Sequence, residues 1–131
     1  MVELMIVDDD PGMRFMVRKI LTKEGYEVTE ADSGEEALEK LKVERPDLIL
    51  LDIMMPGIDG WEVCRKIKDD DELKTIPVVM FTVRGSDQDK SKSFQESGAD
   101  AHITKPIIRE KFLSTVEWVL KNFPKEAEVG G

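Results

Sequence analysis

Three carboxylates, a hydroxyl and an ammonium stand where apolar runs of this chain stop. Asp8 and Asp9 follow Leu4-Met5-Ile6-Val7, and Asp52 follows Leu48-Ile49-Leu50-Leu51. Thr82 follows Val78-Val79-Met80-Phe81, and Lys105 closes the run that contains Ile103. Carboxylates brought together repel one another, and partial burial makes each charge more costly. A cluster of Asp8, Asp9 and Asp52 therefore needs a cation or a proton. Oxygen-only donors with room for water suit Mg2+ better than Zn2+. Pro56, Gly57 and Gly60 turn the chain directly after Asp52, which places that carboxylate at the mouth of a loop.

The elements that must position these groups are legible from apolar spacing. Runs of four apolar residues bounded by turn formers read as buried strands, too short for independent helices. Such runs lie in Glu3 to Val7, the first strand, Leu48 to Leu51, the third, and Val78 to Phe81, the fourth; Tyr26 to Ala31 and Ala99 to Ile103, without a run of this kind, read as the second and fifth. Between them, apolar residues at 13, 16, 17, 20 and 21 form the stripe of an amphipathic helix that Gly25 can end. Ser33 with Glu36 makes a capping box, and that helix is predicted to run to about Val43. Val63, Cys64 and Ile67 mark a third helix ending in the acidic run 69–72. Ser86 with Asp89 resembles the cap of a fourth helix whose sole large apolar residue is Phe94. So polar a helix is held weakly by the core and is the expected movable element. Phe112, Leu113, Val116, Val119, Leu120 and Phe123 form the stripe of the last helix, and Trp118 lies off it.

Alternating strands and helices imply an α/β fold, an open and mostly parallel sheet covered on both faces. In a doubly wound sheet of order 2-1-3-4-5, the first and third strands are neighbours. Asp8, Asp9 and Asp52 then share one crevice at the carboxyl ends, flanked by Thr82 and Lys105.

Bulk properties narrow the classes. With 131 residues and 40% hydrophobic content the chain suits one domain. A net charge of -9 argues against a nucleic-acid surface, which needs clustered Lys and Arg. Cys64 is the single cysteine, so no internal disulfide forms. Neither a signal-peptide pattern nor a membrane-length apolar run is present, and a cytoplasmic location without membrane insertion is the default expectation.

At this point the residues carry a resemblance. Val7-Asp8-Asp9, Leu51-Asp52 followed by Met55-Pro56-Gly57 and Asp59-Gly60, Phe81-Thr82, and Thr104-Lys105-Pro106 resemble the receiver domain of two-component response regulators, especially the single-domain chemotaxis type. The likeness covers about residues 2 to 123. It implies the flavodoxin-like receiver fold of five strands and five helices, a receiver domain over 1–124 and a flexible tail or truncated linker over 125–131. The strand order above rests on this resemblance as well as on the alternation.

The resemblance further implies roles. Asp52 accepts a phosphoryl group from a phosphohistidine on a histidine kinase or phosphotransfer protein. Asp9 holds Mg2+ directly and Asp8 through water, with Asp52 and the backbone carbonyl of Met54 completing the ligands. Lys105 and Thr82 serve the phosphoryl oxygens. His102 takes the place of an aromatic switch residue, and its ring could turn inward as Thr82 moves. The downstream target is expected on the face of the fourth helix, fifth strand and fifth helix.

Other readings fit less well. Solvated turn acids would have to mimic the site by chance at the ends of separate strands. Asp10 is divided between a metal role and that of a third acid that faces solvent or assists the first helix terminus electrostatically. Met54, two residues after Asp52, is no acid able to protonate a leaving group, which weighs against a phosphatase or phosphotransferase. No Gly-x-Gly-x-x-Gly follows the first strand, which weighs against a dinucleotide enzyme. A degenerate scaffold is disfavoured because all five site positions are present. A signalling switch rather than an enzyme is the favoured reading, with a receiver cut from a larger regulator or hybrid histidine kinase as the alternative. Val83, Met54 and Arg84 are expected to flank the approach to Asp52 and to lengthen the phosphorylated state.

Overall fold

A computed structural model describes residues 1–125. Five parallel strands, β1 (Glu3–Val7), β2 (Glu27–Ala31), β3 (Leu48–Leu51), β4 (Val78–Thr82) and β5 (Ala101–Thr104), form one sheet in the order β2-β1-β3-β4-β5. The predicted doubly wound order is the observed one. Val7 pairs with Leu51 in the β1–β3 ladder, and Thr82 pairs with Thr104 in the β4–β5 ladder. Each ladder therefore delivers its following residue to the same edge.

Both faces of the sheet are buried along its inner strands β1, β3 and β4, while the edge strands β2 and β5 are partly exposed. Met5, Val7, Ile49, Leu51, Val78 and Met80 pack on one side against α2 (Gly34–Lys40) and α3 (Gly60–Asp69). Leu4, Ile6, Leu48, Leu50, Val79 and Phe81 pack on the other against α1 (Pro11–Lys23) and α5 (Arg109–Asn122). This alternation along continuous apolar strands is the signature of a parallel sheet buried twice. Cys64 is a buried core residue, and burial pushes its thiol up to about 11.

Several boundaries differ from the expectations. Tyr26 belongs to the turn after α1, its amide donating to Leu21 O at 3.2 Å, so β2 starts one residue later. Gly25 ends that helix at φ +94°, a left-handed conformation that glycine adopts without a Cβ penalty. Met16 is 45% exposed and flanks the exposed Phe15 outside the core. The second helix stops at Lys40 because the next amides fold back three residues, Lys42 to Glu39 and Val43 to Lys40. The Arg45 guanidinium also donates to the Leu41 carbonyl, filling an orphan acceptor of the helix end. β5 spans Ala101–Thr104 rather than 99–103, since Asp100 is drawn into a bond from the Val78 amide.

The fourth helix departs most. α4 (Asp87–Ser91) is capped by the predicted Ser86–Asp89 bond at 3.0 Å but changes pitch at once into a π-helical segment, Lys92–Glu96. Phe94 on that segment is 45% exposed. What is buried instead is polar, namely Ser93 within the segment and Ser97 at its C-cap. The tail expected over 125–131 lies outside the described residues apart from Lys125, whose ammonium donates to Arg45 O at 2.6 Å. Among the described residues no helix is long and apolar enough to cross a membrane.

Candidate functional site

The β1–β3 ladder ends in a bond from the Asp52 amide to Val7 O at 2.9 Å. That bond carries Asp52 alongside Asp8. Oxygens of Asp8, Asp9 and Asp52 all lie within 4.8 Å of one another. Asp8 and Asp52 are buried, whereas Asp9 is exposed. Asp8 Oδ1 accepts from the Asp10 amide at 2.9 Å, and its Oδ2 accepts from Lys105 Nζ at 2.7 Å. Lys105 stands 3.7 Å from Asp52 Oδ2 and 5.1 Å from the Phe81 ring centroid.

Asp10 is settled as a helix cap. Its Oδ1 accepts from the amides of Gly12 and Met13 at 2.9 and 3.4 Å, the usual service of an N-cap carboxylate. It leaves Asp8, Asp9 and Asp52 as the acidic group.

On the other side of Asp52, the Met54 amide donates to Oδ1 at 3.4 Å. The close approach of α3 depends on Gly60, where a Cβ would meet the Asp52 carbonyl oxygen at 2.2 Å. Burial raises the pKa of Asp52. The Lys105 charge pulls it back, the Asp8 charge adds to the rise, and the Thr82 hydroxyl and Met54 amide favour the charged form. Thr82 is fully buried, and its hydroxyl accepts from the Arg84 amide at 3.3 Å. Asp8, Asp9, Asp52, Thr82 and Lys105 thus reach one end of the sheet, whereas His102 lies further back along β5, opposite Met80.

Met54 and Arg84 line one hollow, with Asp59 and Trp61, beside the loop that follows Asp52, whereas Val83 is 64% exposed and stays out of it. Arg84 neither points freely into solvent nor reaches Asp52. It pairs with Asp89 at 3.1 Å and lies with its guanidinium carbon 5.1 Å from the Trp61 ring centroid. Lys92 Nζ is also 4.4 Å from that centroid. His102 is already half-buried, with Nδ1 2.9 Å from Ser93 Oγ and Nε2 2.7 Å from Arg84 O.

Two contributors were not legible in the sequence. Arg14 donates to the Asp8 carbonyl at 2.7 Å while its Nε pairs with Glu30 at 3.0 Å. Its place on the polar side of a helical stripe gives no warning of this. Ser93 is the other, an ordinary serine in a polar helix.

The fold and the site together define a doubly wound α/β domain with an acidic crevice at the strand-order reversal between β1 and β3, where such sheets bind ligands. The chain belongs to the response regulator receiver domain family, whose description, "Response regulator receiver domain", matches residues 4–117. It is 39% identical over 127 residues to the transcriptional regulatory protein AfsQ1 of Streptomyces coelicolor, covering 97% of this chain and 55% of that protein. It is 34% identical over 120 residues to protein PilH of Pseudomonas aeruginosa, covering 92% of this chain and 98% of that one. The solved structure of response regulator TrrA of Thermotoga maritima in complex with Mg(2+)-BeF superposes with a TM-score of 0.82 at 32% identity, covering 92% and 100% of the two chains. The chain therefore spans about half the length of AfsQ1 and nearly all of PilH and TrrA.

Proposed function

We propose that this receiver domain is switched by phosphorylation of Asp52. The observation that carries the proposal is a buried carboxylate between a lysine 3.7 Å away and two further aspartates. Phosphoryl transfer asks a protein for positioning and charge neutralisation more than for an acid or base of its own. An Asp52 oxygen attacks the phosphorus of a phosphohistidine, the P–N bond breaks, and the departing imidazole takes a proton from solvent.

The acidic group fits Mg2+ because every side-chain donor in it is an oxygen. Asp9 would hold the ion directly, Asp8 through water, and Asp52 and the Met54 carbonyl would complete the protein ligands. When bound, Mg2+ supplies charge neutralisation at the phosphoryl oxygens. Lys105 supplies a fixed positive charge to one phosphoryl oxygen, and Thr82 donates its hydroxyl to another. A histidine kinase or phosphotransfer protein is the donor, the downstream protein binds at α4, β5 and α5, and the setting is cytoplasmic.

With Mg2+ and acetyl phosphate, intact-protein mass spectrometry should record one acid-labile phosphoryl group, absent in Asp52→Asn. Equal labelling of the substituted protein would move the acceptor elsewhere. A second reading, a receiver within a longer regulator, is favoured by AfsQ1, of which this chain spans 55%. The full reading frame decides between the two.

A further inference from the structure

Ser93 joins three elements through one hydroxyl. Trp61 Nε1 at the start of α3 donates to Ser93 Oγ at 3.0 Å. His102 Nδ1 on β5 lies 2.9 Å from the same oxygen, and His102 Nε2 lies 2.7 Å from Arg84 O in the β4–α4 connection. A carbonyl oxygen only accepts, so Nε2 must carry the imidazole proton. Nδ1 of the neutral ring is then an acceptor, and the Ser93 hydroxyl donates to it. The bonds run in one direction, from Trp61 to Ser93, to His102, and from His102 to Arg84, with each donor and acceptor used once.

The position of Ser93 adds leverage. It is fully buried and sits in the π-helical segment, a local irregularity often found at functional places in helices. Its carbonyl accepts from the Ser97 hydroxyl at 2.6 Å and the Ala99 amide at 2.9 Å, so the same residue also fixes the exit of that segment. Arg84 and Lys92 crowd the Trp61 ring, which ties both ends of α4 to α3.

We propose that this chain of bonds is a proton-sensitive latch, in which neutral His102 holds α4 between α3 and β5 and protonated His102 releases it. A proton added at Nδ1 turns that nitrogen from acceptor to donor. The Ser93 proton then loses its acceptor, and Ser93 Oγ faces two donors. The charged groups around the ring oppose protonation on balance. Lys90 of α4 and Lys111 of α5 line the same hollow as His102, and Arg84 is adjacent through its backbone. Asp89, the nearby acid, favours protonation but less than Lys90 opposes it, and it pairs with Arg84 at 3.1 Å. Burial works in the same direction and lowers the pKa of His102, partly offset by the Arg84 carbonyl. Neither Mg2+ nor Asp52 takes part, so the latch responds to acid in the unphosphorylated protein and stands apart from the phosphorylation reading.

Nuclear magnetic resonance can test this directly, because His102 is the single histidine and its ring nitrogens need no assignment by mutation. The full chain is titrated from about pH 8 to about pH 5, across the ordinary histidine range, without Mg2+ or phosphodonor. Trp118→Phe identifies the Trp61 indole signal. The expected result is an Nε2–H tautomer at the upper end and a midpoint below the ordinary histidine value. The Trp61 indole signal and amide exchange over residues 87–97 should change with that same midpoint. Ser93→Ala should raise the midpoint, mix the tautomers and silence the Trp61 response. If Ser93→Ala does not fold, the titration of the unsubstituted protein still decides. An Nδ1–H tautomer at the upper end, or a Trp61 signal indifferent to the titration, overturns the latch.

Discussion

Lys105 donates to Asp8 at 2.7 Å. The same ammonium stands 3.7 Å from Asp52, so in this state the lysine serves the neighbour of the proposed phosphoacceptor first. The pair is enclosed, with the Lys105 side chain 10% and the Asp8 side chain 1% exposed. Removing one member of a buried pair leaves the other charge uncompensated, at a cost of about 3 kcal/mol. Lys105→Met is therefore expected to lose stability of that order in urea denaturation without metal. Added Mg2+ should recover part of the loss by binding the folded state. Equal stability of both proteins without metal would show that Asp8 is not the burdened charge.

Asp52 should behave in the opposite sense. Its folded pKa lies above the ordinary aspartate value, chiefly through burial. The unfolded carboxyl thus ionises first as pH rises, and the site costs stability at every pH above the folded pKa. Asp52→Asn is expected to stabilise the metal-free protein by on the order of 1 kcal/mol at neutral pH. Below the ordinary aspartate range, where Asp52 is protonated in both states, the gain should vanish. Denaturation of the two proteins at neutral and acidic pH measures it, and a destabilised variant at neutral pH would contradict the sign.

The lifetime of the phosphorylated state is open to test at Met54 and Arg84. Met54 has only a weak acceptor and Arg84 none, and Arg84 is held on Trp61 and Asp89 rather than beside Asp52. Neither of these two side chains is thus set to orient an attacking water. Met54→Asn combined with Arg84→Glu should shorten the lifetime several-fold when loss of phosphoryl label is followed. An unchanged or slower decay would mean that the rate is set elsewhere.

Phosphorylation should loosen or repack residues 83 to 106. The Thr82 hydroxyl accepts from the Arg84 amide, so a Thr82 that turns to a phosphoryl oxygen gives up an anchor of that connection. Hydrogen exchange with and without beryllofluoride and Mg2+ should differ over this segment. A difference confined to residues 53–59 would exclude the route through Thr82.

Cys64 offers a control on the core. Burial raises its thiol to about 11, so the unfolded thiol ionises first and stability falls as pH climbs from about 9 toward 11, by about 2 to 3 kcal/mol in total. Cys64→Ala should flatten that part of the stability profile. Iodoacetamide should label Cys64 only at the rate of unfolding.

The chain was legible where one rule dominated. Strands such as Leu48 to Leu51 are buried on both faces, so composition alone marks them, and a residue following such a strand must arrive at the sheet edge. That logic carried Asp8, Asp52, Thr82 and Lys105 into one crevice. Asp10 could not be divided between metal and helix cap without its Oδ1 contacts to Gly12 and Met13. The change of pitch after Ser91 was hidden, because what it buries is Ser93 and Ser97 rather than an apolar stripe. Arg84 and Val83 show the same limit. The direction of a side chain leaving a loop depends on partners such as Trp61 and Asp89, which lie at unrelated places in the sequence.

β5 lies at an edge of the sheet while β1 and β3 lie inside it, and this has a kinetic meaning. Glu3 and Asp47 bond across 44 residues, whereas Lys105 reaches Asp8 across 97. Loop closure favours the shorter pairing, so a chain folding outward from its centre brings Asp8 and Asp52 together before their counter-charge arrives. In that order of assembly the repulsion between Asp8 and Asp52 would oppose completion of the sheet. We expect Mg2+ to raise the refolding rate in stopped-flow experiments, and Lys105→Met to leave that acceleration intact. A refolding limb insensitive to Mg2+ would mean that Lys105 docks before the acidic edge is formed.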